Sequence, residues 1–419
     1  MASVSLNSGI ANPGNFCYIN ASIQCFRHIK PVINLINENS DFDSYIGDIL
    51  NLLGIKGVLD SDEIKYRVSK IKANTEDMHI AAQIAKIITD HASSQEEFAF
   101  MFNKVERECY KIYLYVGLRN LLTQLNQSIN QTVDASNFYK LCNYVTRGTG
   151  MDHIVNGGQN DCVEFLMCII DYLHDSHSIP VKTDINPEIL KITDAELDKM
   201  ALPKRIKYGL IKDIHMRYSK SYTSFNKELY FYNLNMVKCG KCEYVGLNYS
   251  PYNMLCLPIR EENVPCTIYD CLDKLFCKEA LDCEYKCEKC KNTEGNTMEK
   301  KILTKPTTLT VCLKRFDFKV LPGGFGMPIK INSLIEYPHV LNIGKYYPII
   351  PGDEAENVYK LVGVINHIGM MNYGHYFSYC YDAEKECWFN YNDHHVSRID
   401  AKDVIHNPNA YVLFYEKMQ

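Results

Sequence analysis

The sequence predicts an α+β protein in which a helix-rich N-terminal half is followed by a strand-rich C-terminal half. Up to about residue 220, apolar residues recur mostly three or four positions apart, which is helical spacing. From residue 359 to 415 the pattern changes to short apolar and aromatic runs separated by turn residues. Two Cys-x-x-Cys motifs lie between these regions and predict a metal-binding segment. Runs of helices followed by runs of strands are typical of α+β folds.

The composition is that of an ordinary globular protein and excludes several classes of function. The chain has 419 residues, of which 46% are hydrophobic, and 45 Lys and Arg against 50 Asp and Glu give a net charge of −5. Because there is no basic block, nucleic acid is not expected as a partner. The sequence has no long apolar run and no signal-peptide pattern, so we expect no membrane partner. We expect a monomer in the cytoplasm or the nucleus.

A stretch near the N-terminus predicts a helix with a cysteine in its first turn. Pro13 and Gly14 stop regular structure, and Asn15 is a suitable N-cap residue. The apolar residues that follow lie at helical spacing: Ile19, Ile23 and Phe26. We expect the helix to begin just ahead of Cys17, where unpaired amides and the helix dipole favour a nucleophilic thiolate. From this stretch alone, a small buried core residue is an equally good interpretation of Cys17.

A base for this cysteine, and a residue to orient the base, occur near the C-terminus. The strand-rich block predicts an antiparallel meander, with His375 at the entry to one strand and Asn392 at the end of the next. Such strand ends can be neighbours, as a histidine and its orienting group must be. Consecutive residues of a regular strand point to opposite faces, so Asn392 and Asp393 could not both reach the histidine from one. We expect a bend after Tyr391 that brings both side chains to the site. Asn392 would then be the direct partner of His375, with Asp393 assisting. The nearby histidines receive no role: His367, His394 and His395.

Residues 27 to 156 are predicted to be entirely helical, and their apolar stripes indicate core packing. A capping box at Ser94-x-x-Glu97 marks one of the helix starts in this segment. Residues 190 to 217 predict a further helical segment. Residues 225 to 236 predict strands that lead to Cys239.

Two Cys-x-x-Cys pairs predict a structural zinc site. Four thiolates in two such pairs suit tetrahedral zinc, because the short turn brings both sulfurs of a pair to one ion. A redox motif is the alternative for either pair taken singly. Cys283 lies close to the second pair and is either an alternate ligand or a cysteine that plays no part in the site. The predicted ligands are Cys239, Cys242, Cys287 and Cys290.

Residues 159 to 165 carry polar side chains at the head of an apolar helical pattern. Asp161 and Glu164 have the spacing of a helix cap, which requires no further function.

Several of these segments resemble the ubiquitin-specific protease family of cysteine deubiquitinases. Residues 9 to 20 match its signature Gly-Leu-x-Asn-x-Gly-Asn-Thr-Cys-Tyr-Met-Asn except at Ile10, Phe16 and Ile19. Residues 159 to 165 resemble its Gln-Gln-Asp-Ala-x-Glu-Phe motif, with Asn160 in place of the second glutamine. Further matches lie at residues 305 to 316, 330 to 341 and 388 to 393.

The resemblance implies a papain-like fold with three regions in one catalytic domain spanning 1–419. Residues 1–220 would form a helical Thumb with an insertion at 40–135. Residues 221–305 would form the Fingers, with the zinc pairs at the tips of long hairpins. Residues 306–419 would form the Palm sheet, which carries the histidine.

The resemblance also implies hydrolysis of the isopeptide bond after the terminal glycine of ubiquitin. The implied catalytic residues are Cys17, His375, Asn392, Asp393 and, in the oxyanion hole, Asn12. The implied contacts to the ubiquitin tail are Gln159, Asp161, Glu164, Gly374 and Tyr376. Two alternatives stay open, namely a protease for a ubiquitin-like modifier and a catalytically weak ubiquitin-binding module.

Overall fold

In the computed structural model, the C-terminal half forms a large sheet and the N-terminal half supplies the helices around it. The structure describes residues 7–37, 114–115, 117–147, 149–178, 180–259, 266–281, 285–320, 326–348, 357–370 and 373–418. Most of the helical segment predicted at 40–135, with its capping box at Ser94, lies outside these ranges, as does Cys283.

Most of the described helices lie ahead of residue 229, and two more follow later in the chain. They are α1 (Cys17–Phe26), α2 (Lys30–Asn37), α3 (Ser136–Thr146), α4 (Cys162–His177), α5 (Pro187–Lys191), α6 (Asp194–Leu197), α7 (Leu202–Tyr218), α8 (Phe225–Glu228), α9 (Ile268–Phe276) and α10 (Ala401–Ile405). Residues 117–127 are also helical, and short 3-10 helices lie at Asp152–Val155 and Gly344–Tyr346.

Most of the described strands lie after residue 230, and two short ones lie ahead of it. They are β1 (Gly9–Ile10), β2 (Thr132–Val133), β3 (Phe231–Lys238), β4 (Val245–Tyr252), β5 (Leu255–Pro258), β6 (Cys266–Thr267), β7 (Glu279–Ala280), β8 (Thr297–Ile302), β9 (Thr308–Lys314), β10 (Phe316–Val320), β11 (Gly326–Lys330), β12 (Ile335–Glu336), β13 (Val340–Asn342), β14 (Val358–Gly369), β15 (Gly374–Asp382), β16 (Cys387–Asn392), β17 (His395–Ile399) and β18 (Ala410–Lys417).

The described residues fall into two units. One comprises residues 7–35, 124–134 and 157–418, and it contains both large sheets and every candidate site residue. The other comprises described residues within 36–123 and 135–156, where α3 packs against the 3-10 helix at Asp152–Val155.

An eight-stranded sheet forms the centre of the larger unit. Its strand order is β17-β16-β15-β14-β18-β9-β5, with β13 paired to β14. The predicted meander is present from β14 to β17, where each strand is antiparallel to the next. β18 departs from the meander and pairs with both β14 and β9. Its first six residues are all buried, which suits a strand in the middle of a sheet.

Helices cover both faces of this sheet. On one face, α9 contributes Ile268 and Leu272 to a hydrophobic core with Leu361 and Leu413. On the other face lies α1, in which all ten residues are buried. Neighbouring residues of β15 point to these two faces in turn. Tyr379 packs with the core under α9, whereas Cys380 contacts Cys25 of α1.

A four-stranded antiparallel sheet with the order β4-β3-β8-β7 carries the cysteine pairs. Its apolar face is covered by α7, where Ile206 packs with Tyr232, Leu234 and Leu303. The helices predicted from 190 to 217 are therefore confirmed as α5 to α7, with breaks between them. The predicted strand from 225 begins only at Phe231, because residues 225–228 form the helical turn α8.

A short parallel pair also departs from the prediction. Residues 132–133, which were expected to be helical, form β2 and pair with Gly9 and Ile10 of β1. Thr132 and Val133 are β-branched and fit a strand better than a helix. Within the described parts of the chain, no helix is both long and apolar enough to span a membrane.

Candidate active site

Cys17 is the first residue of α1, as the sequence predicts, and its side chain is only 4% exposed. The predicted N-cap is wrong, because the N-cap position is occupied by Phe16 and no side chain caps the helix there. The side-chain amide of Asn15 instead donates to the carbonyl oxygen of Gly157, 3.0 Å away. The side chain at the N-cap position thus makes no capping hydrogen bond, and the positive end of the helix dipole is directed at Cys17.

The imidazole of His375 lies between Cys17 and Asn392. Its Nε2 is 2.6 Å from Oδ1 of Asn392. The imidazole is also hydrogen-bonded to the Cys17 thiol. An amide oxygen only accepts, so Nε2 carries the proton and Nδ1 is left for the thiol. The three residues come from the starts of α1 and β15 and the end of β16.

The surroundings of His375 favour its charged form. The hydrogen bond to Cys17 is the main reason why the pKa of His375 is raised to about 9, although partial burial opposes the shift. The hydrogen bond to Asn392 and the nearby carboxylate of Asp393 also raise this pKa. The imidazolium form of His375 is therefore favoured at neutral pH.

The side chain of Asp393 holds two asparagines. Its backbone has a φ of +51°, so the strand alternation ends there and the bend comes one residue later than predicted. Asp393 Oδ2 accepts from the amide of Asn12 at 2.9 Å, and Oδ1 accepts from the amide of Asn20 at 2.8 Å. Its carbonyl oxygen accepts from the Ile10 amide at 2.9 Å. Asp393 thus connects β1 and α1 to the β16–β17 turn.

Asn12 has its side-chain orientation fixed by three hydrogen bonds. Its Oδ1 accepts from the backbone amides of Gly14 and Phe16, both at 3.1 Å. Its Nδ2 gives one hydrogen to Asp393, which leaves the second hydrogen of the same nitrogen for another acceptor. This residue therefore both closes the turn ahead of α1 and presents a donor near Cys17.

Gln159 and Gly374 are joined directly. The side-chain Oε1 of Gln159, which is exposed, accepts from the backbone amide of Gly374 at 2.8 Å. A side chain at position 374 would place its Cβ 2.0 Å from Nε2 of His367, so only glycine fits there. The loop before α4 and the start of β15 are held together in this way, one residue before His375.

Asp161 acts as the cap of α4, which confirms the simpler interpretation of this motif. Its Oδ1 accepts from the Val163 amide at 2.7 Å, and its Oδ2 accepts from the hydroxyl of Tyr411 at 2.7 Å. Burial is the main reason why the pKa of this carboxyl is raised, against the lowering effect of those hydrogen bonds. Glu164, one turn along the helix, is exposed to solvent.

Tyr376 has its ring inside the protein. The ring is 6% exposed and lies 4.6 Å from that of His367, measured between centroids. His367 is itself buried, and this burial is the main reason why its pKa is lowered to about 3. The imidazole is therefore neutral. The expectation that His367 is a packed histidine agrees with this environment.

The four predicted metal ligands form one cluster. Their Sγ atoms lie within 4.8 Å of one another, and the distances between members of different pairs include 3.6 Å for Cys239–Cys290 and 3.7 Å for Cys242–Cys287. The first pair lies at the tip of the β3–β4 hairpin and the second in the β7–β8 connection. The prediction that the pairs occupy hairpin tips holds for the first, whereas β7 is only two residues long.

Both cysteine turns have the same backbone. Each is followed by a residue with positive φ, +57° at Glu243 and +60° at Lys291. The amide of the Lys241 backbone lies 3.4 Å from Sγ of Cys239, and such amide contacts lower the pKa of this thiol to about 6. A tetrahedron of sulfurs around zinc has edges of about 3.8 Å, given Zn–S bonds near 2.3 Å. The observed spacing fits, so these residues could bind a metal ion.

Comparison with known proteins identifies the family. The family model described as "Ubiquitin carboxyl-terminal hydrolase" matches residues 8–415. The chain belongs to the ubiquitin carboxyl-terminal hydrolase family. Members with similar sequences include ubiquitin carboxyl-terminal hydrolase 5 of Saccharomyces cerevisiae, 23% identical over 98% of this chain and 44% of its own length. Ubiquitin carboxyl-terminal hydrolase 19 of Arabidopsis thaliana is 33% identical over 44% of this chain and 26% of its own length. This chain thus spans less than half of these relatives.

Solved structures of SAGA DUB modules share the fold. One such structure is the SAGA DUB module of Ubp8, Sgf11, Sus1 and Sgf73 bound to monoubiquitin. Its matching chain is 21% identical in sequence to this chain, with a TM-score of 0.56. The match covers 98% of this chain and 69% of that one. A yeast SAGA DUB module with a mutant Sgf73 gives the same TM-score at 20% identity. The predicted fold class, α+β of the ubiquitin-specific protease type with Thumb, Palm and Fingers, is confirmed.

Two residues of this candidate site were not singled out from the sequence. Asn20 is 2% exposed and holds Asp393, and Tyr411 holds Asp161 from the middle of the sheet. Asn20 could have been found, since a polar residue three positions after Cys17 interrupts an apolar helix. No local signal distinguishes Tyr411 from the other aromatic residues of β18.

Proposed function

We propose that this chain is a thiol-dependent deubiquitinase that hydrolyses the isopeptide bond after the C-terminal glycine of ubiquitin. The observation that carries the proposal is the hydrogen-bonded series Cys17–His375–Asn392, with a cysteine at a helix N-terminus. Membership of the hydrolase family supports the same chemistry. The likeness to a module bound to monoubiquitin supports ubiquitin as the partner.

In the proposed reaction, the Cys17 thiolate attacks the carbonyl carbon of the terminal glycine. His375, charged by the thiol proton, returns a proton to the leaving lysine amine and then activates water for release of the acyl group. Asn392 keeps the imidazole in the required tautomer, and the negative charge of Asp393 favours the charged imidazolium.

Oxyanion stabilisation is assigned to Asn12 and to the Cys17 backbone amide. The second hydrogen on Nδ2 of Asn12 is available for the tetrahedral intermediate, because Asp393 takes only the first. With its oxygen bound to Gly14 and Phe16, the amide of Asn12 cannot flip, and the donor is preorganised.

The tail of ubiquitin is proposed to pass between the α4 loop and the start of β15. Exposed Glu164 supplies negative charge for a basic tail, whereas Asp161 contributes by capping α4. Gln159 and Gly374 set the width of the channel through their hydrogen bond. Tyr376 would contribute through its backbone, because its ring is buried.

We also propose that the four-cysteine cluster of Cys239, Cys242, Cys287 and Cys290 holds one structural Zn²⁺. The Thumb would be 1–220 with an insertion at 40–135, the Fingers 221–305 and the Palm 306–419. A monomer acting in the cytoplasm or the nucleus completes the proposal. Light scattering on the purified chain, with and without ubiquitin, measures the oligomeric state.

Ubiquitin-propargylamide tests the function. We expect one covalent adduct, mapped to Cys17, while Cys17→Ala still binds ubiquitin without forming it. A panel of the corresponding ubiquitin-like probes separates the alternatives. Labelling by a ubiquitin-like probe but not by ubiquitin would indicate a protease for that modifier. An unlabelled protein that binds ubiquitin would be a binding module, and an adduct on another cysteine would remove the assignment of Cys17.

A further inference from the structure

A second pair of thiols lies behind the candidate active site, where α1 packs against β15. The Sγ atoms of Cys25 and Cys380 are 3.7 Å apart, and both side chains are 0% exposed. Cys25 is on the same helix as Cys17, about 12 Å along it at 1.5 Å per residue. Cys380 is on the same strand as His375.

A histidine accompanies this pair as His375 accompanies Cys17. His28 is hydrogen-bonded to Cys380. Its Nδ1 lies 2.7 Å from the carbonyl oxygen of Gln24, so Nδ1 carries the proton and Nε2 is the acceptor. The hydroxyl of Tyr391 also faces Nε2, at 3.2 Å. Burial raises the pKa of Cys380, but hydrogen bonding from Cys25 and the nearness of His28 outweigh it and lower this pKa to about 6. Burial is the main reason why the pKa of the Cys25 thiol is raised.

We propose that Cys25 and Cys380 form an oxidation site, in which a hydroperoxide converts the two thiols into a disulfide that joins α1 to β15. Cys380 is the attacking sulfur because His28 can accept its proton, and Cys25 is the resolving thiol because it is the neighbour within reach. The regulatory consequence rests on the proposed function, since α1 and β15 carry Cys17 and His375.

The chemistry balances with hydrogen peroxide as the oxidant. The Cys380 thiolate attacks one peroxide oxygen, the O–O bond breaks, and the departing hydroxide takes the proton held by His28 to give water. Cys25 then attacks the sulfenic sulfur, the S–O bond breaks, and the leaving hydroxide takes the Cys25 proton. Two thiols and one peroxide give one disulfide and two waters, and a thiol reductant reverses the reaction.

The disulfide would displace the two catalytic elements. A disulfide bond of about 2.05 Å is shorter than the present separation by about 1.7 Å, so the two buried side chains must rotate or α1 and β15 must approach each other. Close-packed cores transmit such shifts, and a misplacement of 1 Å can cost on the order of 10²-fold in rate. We therefore expect turnover to fall about 10- to 100-fold on oxidation.

The chain offers a matched control pair. Cys266 and Cys271 have Sγ atoms 3.5 Å apart, and both are buried. Among the described interactions of these two thiols, none is with a histidine. If distance alone decided oxidation, Cys266–Cys271 would be oxidised at least as readily as Cys25–Cys380.

The site is tested by peptide mapping without reduction. Cys17→Ala protein is treated with hydrogen peroxide, quenched, and alkylated after denaturation. We expect a peptide linked through Cys25 and Cys380, lighter by two hydrogens than its parts, ahead of any Cys266–Cys271 link. Absence of this peptide, or an equal yield of the control link, would overturn the proposal. This readout does not depend on activity, so it stands if the proposed function fails.

The regulatory consequence is tested on the wild-type chain and Cys25→Ala. After peroxide, turnover of ubiquitin-AMC is divided by the fraction of Cys17 that remains a free thiol. We expect a loss of about tenfold or more in the wild type, restored by dithiothreitol, and less than about twofold in Cys25→Ala. Equal losses would overturn the switch. Cys380→Ala repeats the comparison if thermal unfolding shows that Cys25→Ala is poorly folded.

Discussion

At the scale of single residues, the assignment of Asn12 to the oxyanion hole is open to direct measurement. We expect Asn12→Ala to lower kcat by about 10² to 10³, the effect of removing one such donor, with little change in ubiquitin affinity. Asn15→Ala is the control, since its amide contacts only the Gly157 carbonyl among the described hydrogen bonds. Normal turnover in Asn12→Ala would mean that this residue serves the turn before α1 alone.

Asn392 and Asp393 are adjacent but have separate contacts. We expect Asn392→Ala to lower kcat by about 10² or more, because His375 loses the group that fixes its tautomer. Asp393→Ala should also lower kcat, since Asn12 and Asn20 both lose their acceptor. Single and double mutants assayed on ubiquitin-AMC measure the coupling. The assignment of separate roles to Asn392 and Asp393 fails if Asn392→Ala has nearly wild-type activity while Asp393→Ala alone is inactive.

The raised pKa of His375 predicts how activity depends on alkaline pH. The imidazolium persists up to about pH 9, and above that His375 can no longer protonate the leaving amine. Turnover should therefore decline above about pH 9, whereas alkylation of Cys17, which needs only the thiolate, should not. The stabilisation that His375 gives the fold is complete below about pH 6.5 and is lost as pH rises through about 9. In Asn392→Ala the decline should begin at lower pH; an unchanged profile would contradict the role of that hydrogen bond.

At the scale of elements, β1 contacts the turn between β16 and β17 so closely that position 9 admits only glycine. A Cβ there would lie 2.4 Å from the carbonyl oxygen of His394 and 2.7 Å from that of Asp393, both backbone atoms. Gly9→Ala should displace the turn and lower kcat by about 10-fold or more. Gly14→Ala is the matched control, because its Cβ meets nothing within 4 Å. Equal activity in the two variants would show that the turn tolerates the shift.

The cysteine cluster belongs to the same scale. We expect about one zinc per chain by metal analysis and a lower thermal midpoint in Cys239→Ala, because structural metal binding contributes to folding free energy. A loss of about 2–3 kcal/mol would lower the midpoint of a chain of this length by roughly 2–4 °C. Cys277→Ala, which removes an exposed cysteine outside the cluster, should leave both values unchanged. Less than half an equivalent of zinc in folded protein would count against the site.

At the scale of the whole molecule, the sequence predicts the parts whose signals are local. The start of α1, the two cysteine turns and the meander from β14 to β17 each follow from periodicity or from turn residues within one segment. The contacts between distant segments could not be predicted in this way. The place of β18 between β14 and β9, the β1–β2 pair and the contact of Asn20 with Asp393 depend on which surfaces meet when the chain folds.

The hydrogen bond between Asn12 and Asp393 joins residues 381 positions apart in the chain. A ribosome adds about 5–20 residues per second, so Cys17 leaves it roughly tens of seconds before the turn that carries Asp393 is made. For most of that interval the nascent chain carries Cys17 without His375, and for all of it without the carboxylate that positions Asn12. Synthesis therefore completes the Cys17–His375–Asn392 arrangement only when β16 is made, and a chain truncated before that strand lacks Asn392 however well its helices fold.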